Sequence, residues 1–108
     1  MQSLERIFPA TVASIMDLSR VVINRGAEHG VKYSQRFAVY ALSEEDIIDP
    51  ITRASLGRLE IIKGIGKVVH IQDKMSILEA MPDASNALII DFNPKFKGAA
   101  VGDKARPV

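Results

Sequence analysis

The chain contains no cysteine and no tryptophan. Without cysteine there are no disulfides, no thiolate nucleophile and no cysteine-ligated metal, and the composition fits a reducing compartment. Aromatics are scarce, with four Phe and two Tyr among 108 residues. A core must therefore be aliphatic, built from Ile, Val, Leu and Ala, and the frequent β-branched residues favour strands. No apolar run approaches the ~18 residues of a membrane helix, and Met1–Arg6 has neither the basic start nor the apolar stretch of a signal peptide. The expectation is a cytoplasmic chain without membrane insertion. Charge of one sign is also missing: 14 basic and 13 acidic residues leave +1, which is no electrostatic footprint for nucleic acid.

What is present is enough for one domain. Hydrophobic residues make up 47% and charged residues 25%, an ordinary globular balance for a single domain spanning residues 1–108. Strand-forming segments recur about every ten residues, and no long segment has helical period. Phe8–Met16 and Arg20–Asn24 read as a hairpin joined by Asp17-Leu18-Ser19. A helix over residues 10–18 is the competing reading, which Thr11, Val12 and Ile15 argue against. Asn24–Val31, with Gly26 and Gly30, is a turn or one helical turn. Arg36–Leu42 is a strand apolar on both faces. Residues 43–57 form a long loop opened by Asp49-Pro50. Arg58–Gln72 is either a hairpin turning at Lys63-Gly64 or one strand bent by Gly64 and Gly66, and the bent strand is preferred. Asp73-Lys74 turns the chain into Met75–Ala80. Ala87–Phe92 and Val101–Val108 complete the set, with Asn93–Gly98 a polar, basic loop. The fold expected is mainly all-β: a six- or seven-stranded barrel or curled antiparallel sheet, with room for one short helical turn.

The chemistry-bearing residues form no constellation. His29 and His70 are far apart, outside any metal-ligand spacing. Gly64-Ile65-Gly66 lacks the third glycine and the following helix of a dinucleotide fingerprint. No serine sits in a nucleophile elbow. Glu44, Glu45, Asp46 and Asp49 lack the alternate spacing and glycine of a calcium loop, and read as a solvated acidic stretch. No catalytic residue, metal site, cofactor or small-molecule substrate is assigned. Tyr33, Phe37, Tyr40, Phe92 and Phe96 are the aromatics a nucleic-acid-binding barrel could stack on. Phe37 and Tyr40, however, fall on opposite strand faces and cannot form one platform.

One stretch resembles a known family. Asn24-x-Gly26, Gly30-Val31, Phe37-Ala38-Val39-Tyr40, Asp49-Pro50-Ile51-Thr52, Leu56-Gly57 and the strand at Met75–Ala80 resemble the C-terminal domain of flagellar assembly protein T. The Asn-Arg-Gly to Gly-Val part is similar, more distantly, to the rod-shape protein MreC. The resemblance implies a small β-barrel used in protein–protein assembly, without catalysis. Its marker residues here are Asn24, Gly26, Gly30, Asp49, Pro50, Thr52 and Gly57. Arg53 stands where the family has a loop glycine, and Ser34-Gln35 where it has Gly-Asp. L-residues held left-handed are costly, so turns different from the family's are expected there. The functional expectation is a non-enzymatic interaction module with a protein partner or self-association, contacting through Ile47, Ile48 and Ile51. The alternative is a nucleic-acid-binding barrel using the basic C-terminal residues Lys95, Lys97, Lys104 and Arg106.

Overall fold

The computed structural model describes residues 8–82 and 93–108. Among them are six strands: β1 (Ala10–Ile15), β2 (Arg20–Ile23), β3 (Arg36–Leu42), β4 (Glu60–Ile71), β5 (Ser76–Ala80) and β6 (Lys104–Pro107). Among the described residues one 3-10 turn, Ala27–His29, follows β2. The strands close into an antiparallel barrel in the order β1-β2-β5-β4-β3-β6, with β6 returning to β1. The mainly β barrel expected from the sequence is thus the fold. The strand expected at Ala87–Phe92 lies outside the described residues.

Alternation along each strand supplies the core. Val12, Val21, Ile23, Phe37, Val39, Val68 and Leu78 are fully or almost fully buried, and Ala10, Ala105 and Phe96 join them. Phe8 packs against this cluster, its ring 5.6 Å from that of Phe37.

β4 is the long bent strand rather than a hairpin. Its first part pairs with β3 from Leu42↔Glu60 to Arg36↔Lys67, and its last part with β5 from Gly66↔Ala80 to Ile71↔Ser76. Register shifts fall opposite Val39/Tyr40 and between Val68 and His70. Such bulges increase twist and let one strand serve two neighbours around a small barrel. The bend also brings Phe96 inward. A Cβ on Gly64 would lie 3.0 Å from Phe96 Cδ1, and one on Gly66 2.9 Å from Phe96 Cζ. The ring fills the space these two glycines leave. Asn93–Gly98 is therefore not simply a polar loop: Phe96 is core, flanked by exposed Lys95 and Lys97. The segment is fixed at both ends, since the Phe96 N–H donates to the Leu18 carbonyl at 2.9 Å and the Lys97 N–H to that of Lys63 at 2.7 Å.

Residues 43–57 are the long loop expected between two strands, and its two legs are held together as a ribbon by one bridge and a few backbone hydrogen bonds. Ile48 and Ser55 form an antiparallel bridge. The Ile47 N–H donates to Gly57 O at 2.8 Å, Leu56 N–H to Ile47 O at 2.7 Å, and Ser43 N–H to Leu59 O at 2.9 Å.

Candidate interaction site

The marker residues of the sequence separate into two places, at opposite ends of β4. At one end lies the turn after β2. The Thr11 N–H donates to Asn24 Oδ1 at 2.8 Å, tying β1 to the end of β2. Gly26 is buried against the β4–β5 turn: a Cβ there would strike the Gln72 carbonyl oxygen and sit 2.6 Å from Met75 N and 2.7 Å from Asp73 O. Its φ of −142° is open to any residue, so close approach alone demands glycine. Gly30 is the reverse case, with φ 81° and open space around a hypothetical Cβ. The buried Ser76 hydroxyl donates to the Arg25 carbonyl at 2.7 Å, locking this turn onto β5. The Gly26 N–H donates to His29 Nδ1 at 3.0 Å, so His29 closes the 3-10 turn. His70 is exposed, its Nε2 3.3 Å from Gln72 Oε1. His29 Nε2 also lies 3.7 Å from Glu28 Oε1.

At the other end is the ribbon, where Asp49, Pro50, Thr52 and Gly57 shape the tip. Asp49 Oδ1 accepts from the N–H groups of Ile51 at 2.8 Å and Thr52 at 3.3 Å, and these bonds hold its carboxyl below the usual aspartate range. The Asp49 carbonyl accepts from Arg53 N–H at 2.9 Å. Arg53 adopts φ 64° and Ser34 φ 65°. Both places keep a left-handed backbone without glycine, contrary to the altered turns expected. Hydrogen bonds offset the strain: that from Arg53 N–H, and one from Ser34 N–H to Val68 O at 2.9 Å.

The ribbon is apolar where it should be polar. Ile47 and Ile48 are about half exposed, Ile51 at the tip is 89% exposed, and Leu56 on the returning leg is 65% exposed. Leu42, Leu59, Ile61 and Ile62 extend the exposed aliphatic surface to the root. The structure thus puts Ile47, Ile48 and Ile51 on one projecting element and adds partners that the sequence reading missed. The i, i+2 alternation of Leu59-Glu60-Ile61 beside Leu42 was the available signal. A two-stranded hairpin with no third layer is marginal in water, and single-chain proteins rarely leave such surface uncovered.

The root of the ribbon adjoins a charged wall. On the outer face of β6, β3 and β4, Lys104 is opposite Tyr40, Arg106 opposite Ala38, and Arg36 directly opposite Lys67. Arg106 Nη2 contacts Glu60 Oε1 at 3.0 Å, and its guanidinium carbon lies 5.5 Å from the Tyr40 ring centroid. Burial pushes the Tyr40 hydroxyl pKa up, Glu60 adds to the rise, and Arg106 opposes it.

No group of three or more potential metal ligands occurs among the described residues, and no described helix is long and apolar enough to cross a membrane. An open depression lies between the Asp17–Arg20 turn and Asn93–Lys95. Its arginine is already committed, since Arg20 Nε and Nη2 donate to Asp17 Oδ2 at 3.1 and 2.9 Å. No family model and no curated protein matches this chain.

Proposed function

We propose that this chain is a non-enzymatic assembly module that docks onto protein through the β3–β4 ribbon. One observation carries the reading: a two-stranded projection bearing exposed aliphatic side chains from Leu42 to Ile62 on a barrel otherwise closed on itself. Among the described residues the closed barrel has no free edge to offer a partner strand, which favours the ribbon as the contact. The turn and core pattern that resembles the flagellar assembly protein T domain agrees with an assembly role.

Nucleic-acid binding has less to stand on. Of the aromatics that could stack on bases, Phe37, Tyr40 and Phe96 are buried and Tyr33 is exposed; Phe92 lies outside the described residues.

Site-specific photo-crosslinking in the native host tests the reading. A photoreactive residue at position 48 is expected to give a discrete protein adduct identifiable by mass spectrometry. The same group at Lys74, in the turn at the far end of β4, is expected to give none. Equal labelling at both sites, or none at either, removes the ribbon as a docking element.

A further inference from the structure

The ribbon is joined to the barrel but takes no part in its core. From Ser43 to Glu60 no residue is buried. The bonds that hold residues 43–59 together lie within the segment: the Ile48–Ser55 bridge, the Ser43–Leu59 pair at the root and the turn about Asp49. Opening the ribbon therefore uncovers no core side chain and leaves the pairing of β3 with β4 in place. Segments with few buried contacts and exposed backbone bonds are where proteins open locally. Arg53 favours that opening, because its left-handed φ of 64° relaxes to an extended backbone when the tip comes apart.

Arg53 is also where an opened ribbon can be cut. Endopeptidases of the trypsin class hydrolyse the bond after Arg or Lys, through a pocket that takes the cation, and exposed loop tips are the preferred sites of nicking. Thr52, Arg53 and Ala54 are all exposed, and the residue after the arginine is small. The other described cations are less accessible to a protease. Arg20, Arg36, Lys63, Lys67, Lys104 and Arg106 lie in barrel strands. Extending the chain at Arg25 or Lys32 draws out Gly26 or Val31, both buried, and at Lys95 or Lys97 it draws out Phe96. Lys74 sits in the β4–β5 turn, against which Gly26 packs. Arg58 stands at the root, where an extended substrate strand has to include β4 residues paired with β3.

We infer that the Arg53–Ala54 bond is a processing site for an endopeptidase of trypsin-like specificity, and that cutting it disables the ribbon while the barrel stays closed. One water molecule is consumed: its hydroxyl goes to the Arg53 carbonyl carbon and its proton to the Ala54 nitrogen. The cut parts the two legs, yet each remains anchored, one through β3 and the other through β4. The cut itself does not depend on what the ribbon docks onto. Its effect on docking rests on the ribbon being the contact.

Limited digestion of the full chain with trypsin, read by intact-mass spectrometry, is the test. Among bonds of the described residues, Arg53–Ala54 is expected to be cut first, about tenfold faster than any other. The two fragments are expected to elute together, with the far-UV circular dichroism of the intact chain. Arg53→Gln is expected to remove that cut. Ile48 and Ser55 form a non-hydrogen-bonded pair, flanked by the Leu56–Ile47 and Asp49–Ala54 bonds, a spacing that suits a disulfide. In a chain with no other cysteine, oxidised Ile48→Cys with Ser55→Cys is expected to slow the cut by about tenfold, and reduction to restore it. A first cut at another described bond, fragments that separate or unfold, or a clamp without effect overturns the proposal. The photoreactive residue at position 48 reads the effect on docking. Loss of its adduct after cleavage supports the proposal. An adduct that survives cleavage overturns the disabling of the ribbon and leaves the docking reading standing. No adduct even before cleavage removes the docking reading and that effect with it, whereas the site of the cut is still decided by the digestion.

Discussion

The Phe96 ring occupies the space in which a side chain at Gly66 would lie, with Cζ 2.9 Å from the position of a Cβ there. Leu78 Cβ closes the same space from another side at 3.0 Å. Gly66→Ala is therefore expected to destabilise the barrel by about 2 kcal/mol through overpacking. Phe96→Ala is expected to cost about 3–4 kcal/mol by emptying the site. In a Phe96→Leu background the cost of Gly66→Ala should fall, because part of the obstruction is gone. Urea denaturation of the four chains forms the double-mutant cycle, and strict additivity would dissociate the two residues.

Gly26 and Gly30 are expected to respond differently to the same change. Alanine at position 26 drives a methyl group into the backbone of the β4–β5 turn, which cannot yield as a flexible side chain would. A loss of about 3 kcal/mol or more is expected. Alanine at position 30 meets open space but a φ of 81°, for a cost of about 1 kcal/mol. Near-equal losses in thermal unfolding would refute this division of roles.

Ser34 holds a left-handed backbone at φ 65° while leading into β3. Ser34→Gly keeps the N–H bond to Val68 and removes the Cβ strain. A net gain of about 0.5–1 kcal/mol is expected after the added entropy of glycine in the unfolded chain. Ser34→Ala should bring no gain. Chemical denaturation of both variants decides.

The ribbon tip should respond to acid. Asp49 is held below its ordinary pKa by the Ile51 and Thr52 amides. Its folded value is depressed, so the stabilisation is present above the unfolded aspartate pKa and is lost as pH falls through the folded one. The protection of the Ile51 and Thr52 amides, taken relative to their intrinsic exchange at each pH, should fall below the ordinary aspartate range. Asp49→Asn keeps an acceptor oxygen without the titration, and should leave exchange there free of that acid step.

How much of this was legible varied with the element. The Asp17–Ser19 hairpin, β3 and the bent β4 could be read because β-branched residues alternate there and glycines punctuate them. Val101–Val108 was read as a strand but pairs only over Lys104–Pro107, since Val101-Gly102 turns. The strand order was not legible, because β2–β5, β3–β6 and β1–β6 join segments distant in the chain. Phe96 was hidden by its lysine neighbours; the signal lay in Gly64-x-Gly66, whose missing side chains call for an aromatic to cover them. The aliphatic triad at 47, 48 and 51 was visible as residues but not as a ribbon, since its pairing depends on one bridge. The wall could not be seen at all: Arg36 and Lys67 become neighbours only through the β3–β4 register.

Barrel closure has a consequence for how the chain acquires its structure. β6 lies between β1 and β3, so the first and third strands each lack a neighbour until Lys104–Pro107 has been made. During synthesis the β1–β2, β3–β4 and β4–β5 hairpins can form one after another, but the cylinder stays open along one seam. Pairing Ala10 with Ala105 is among the most distant contacts this chain can make, and such long-range closure sets a slow final step. Until the seam is sealed, both of its edges are open to other strands.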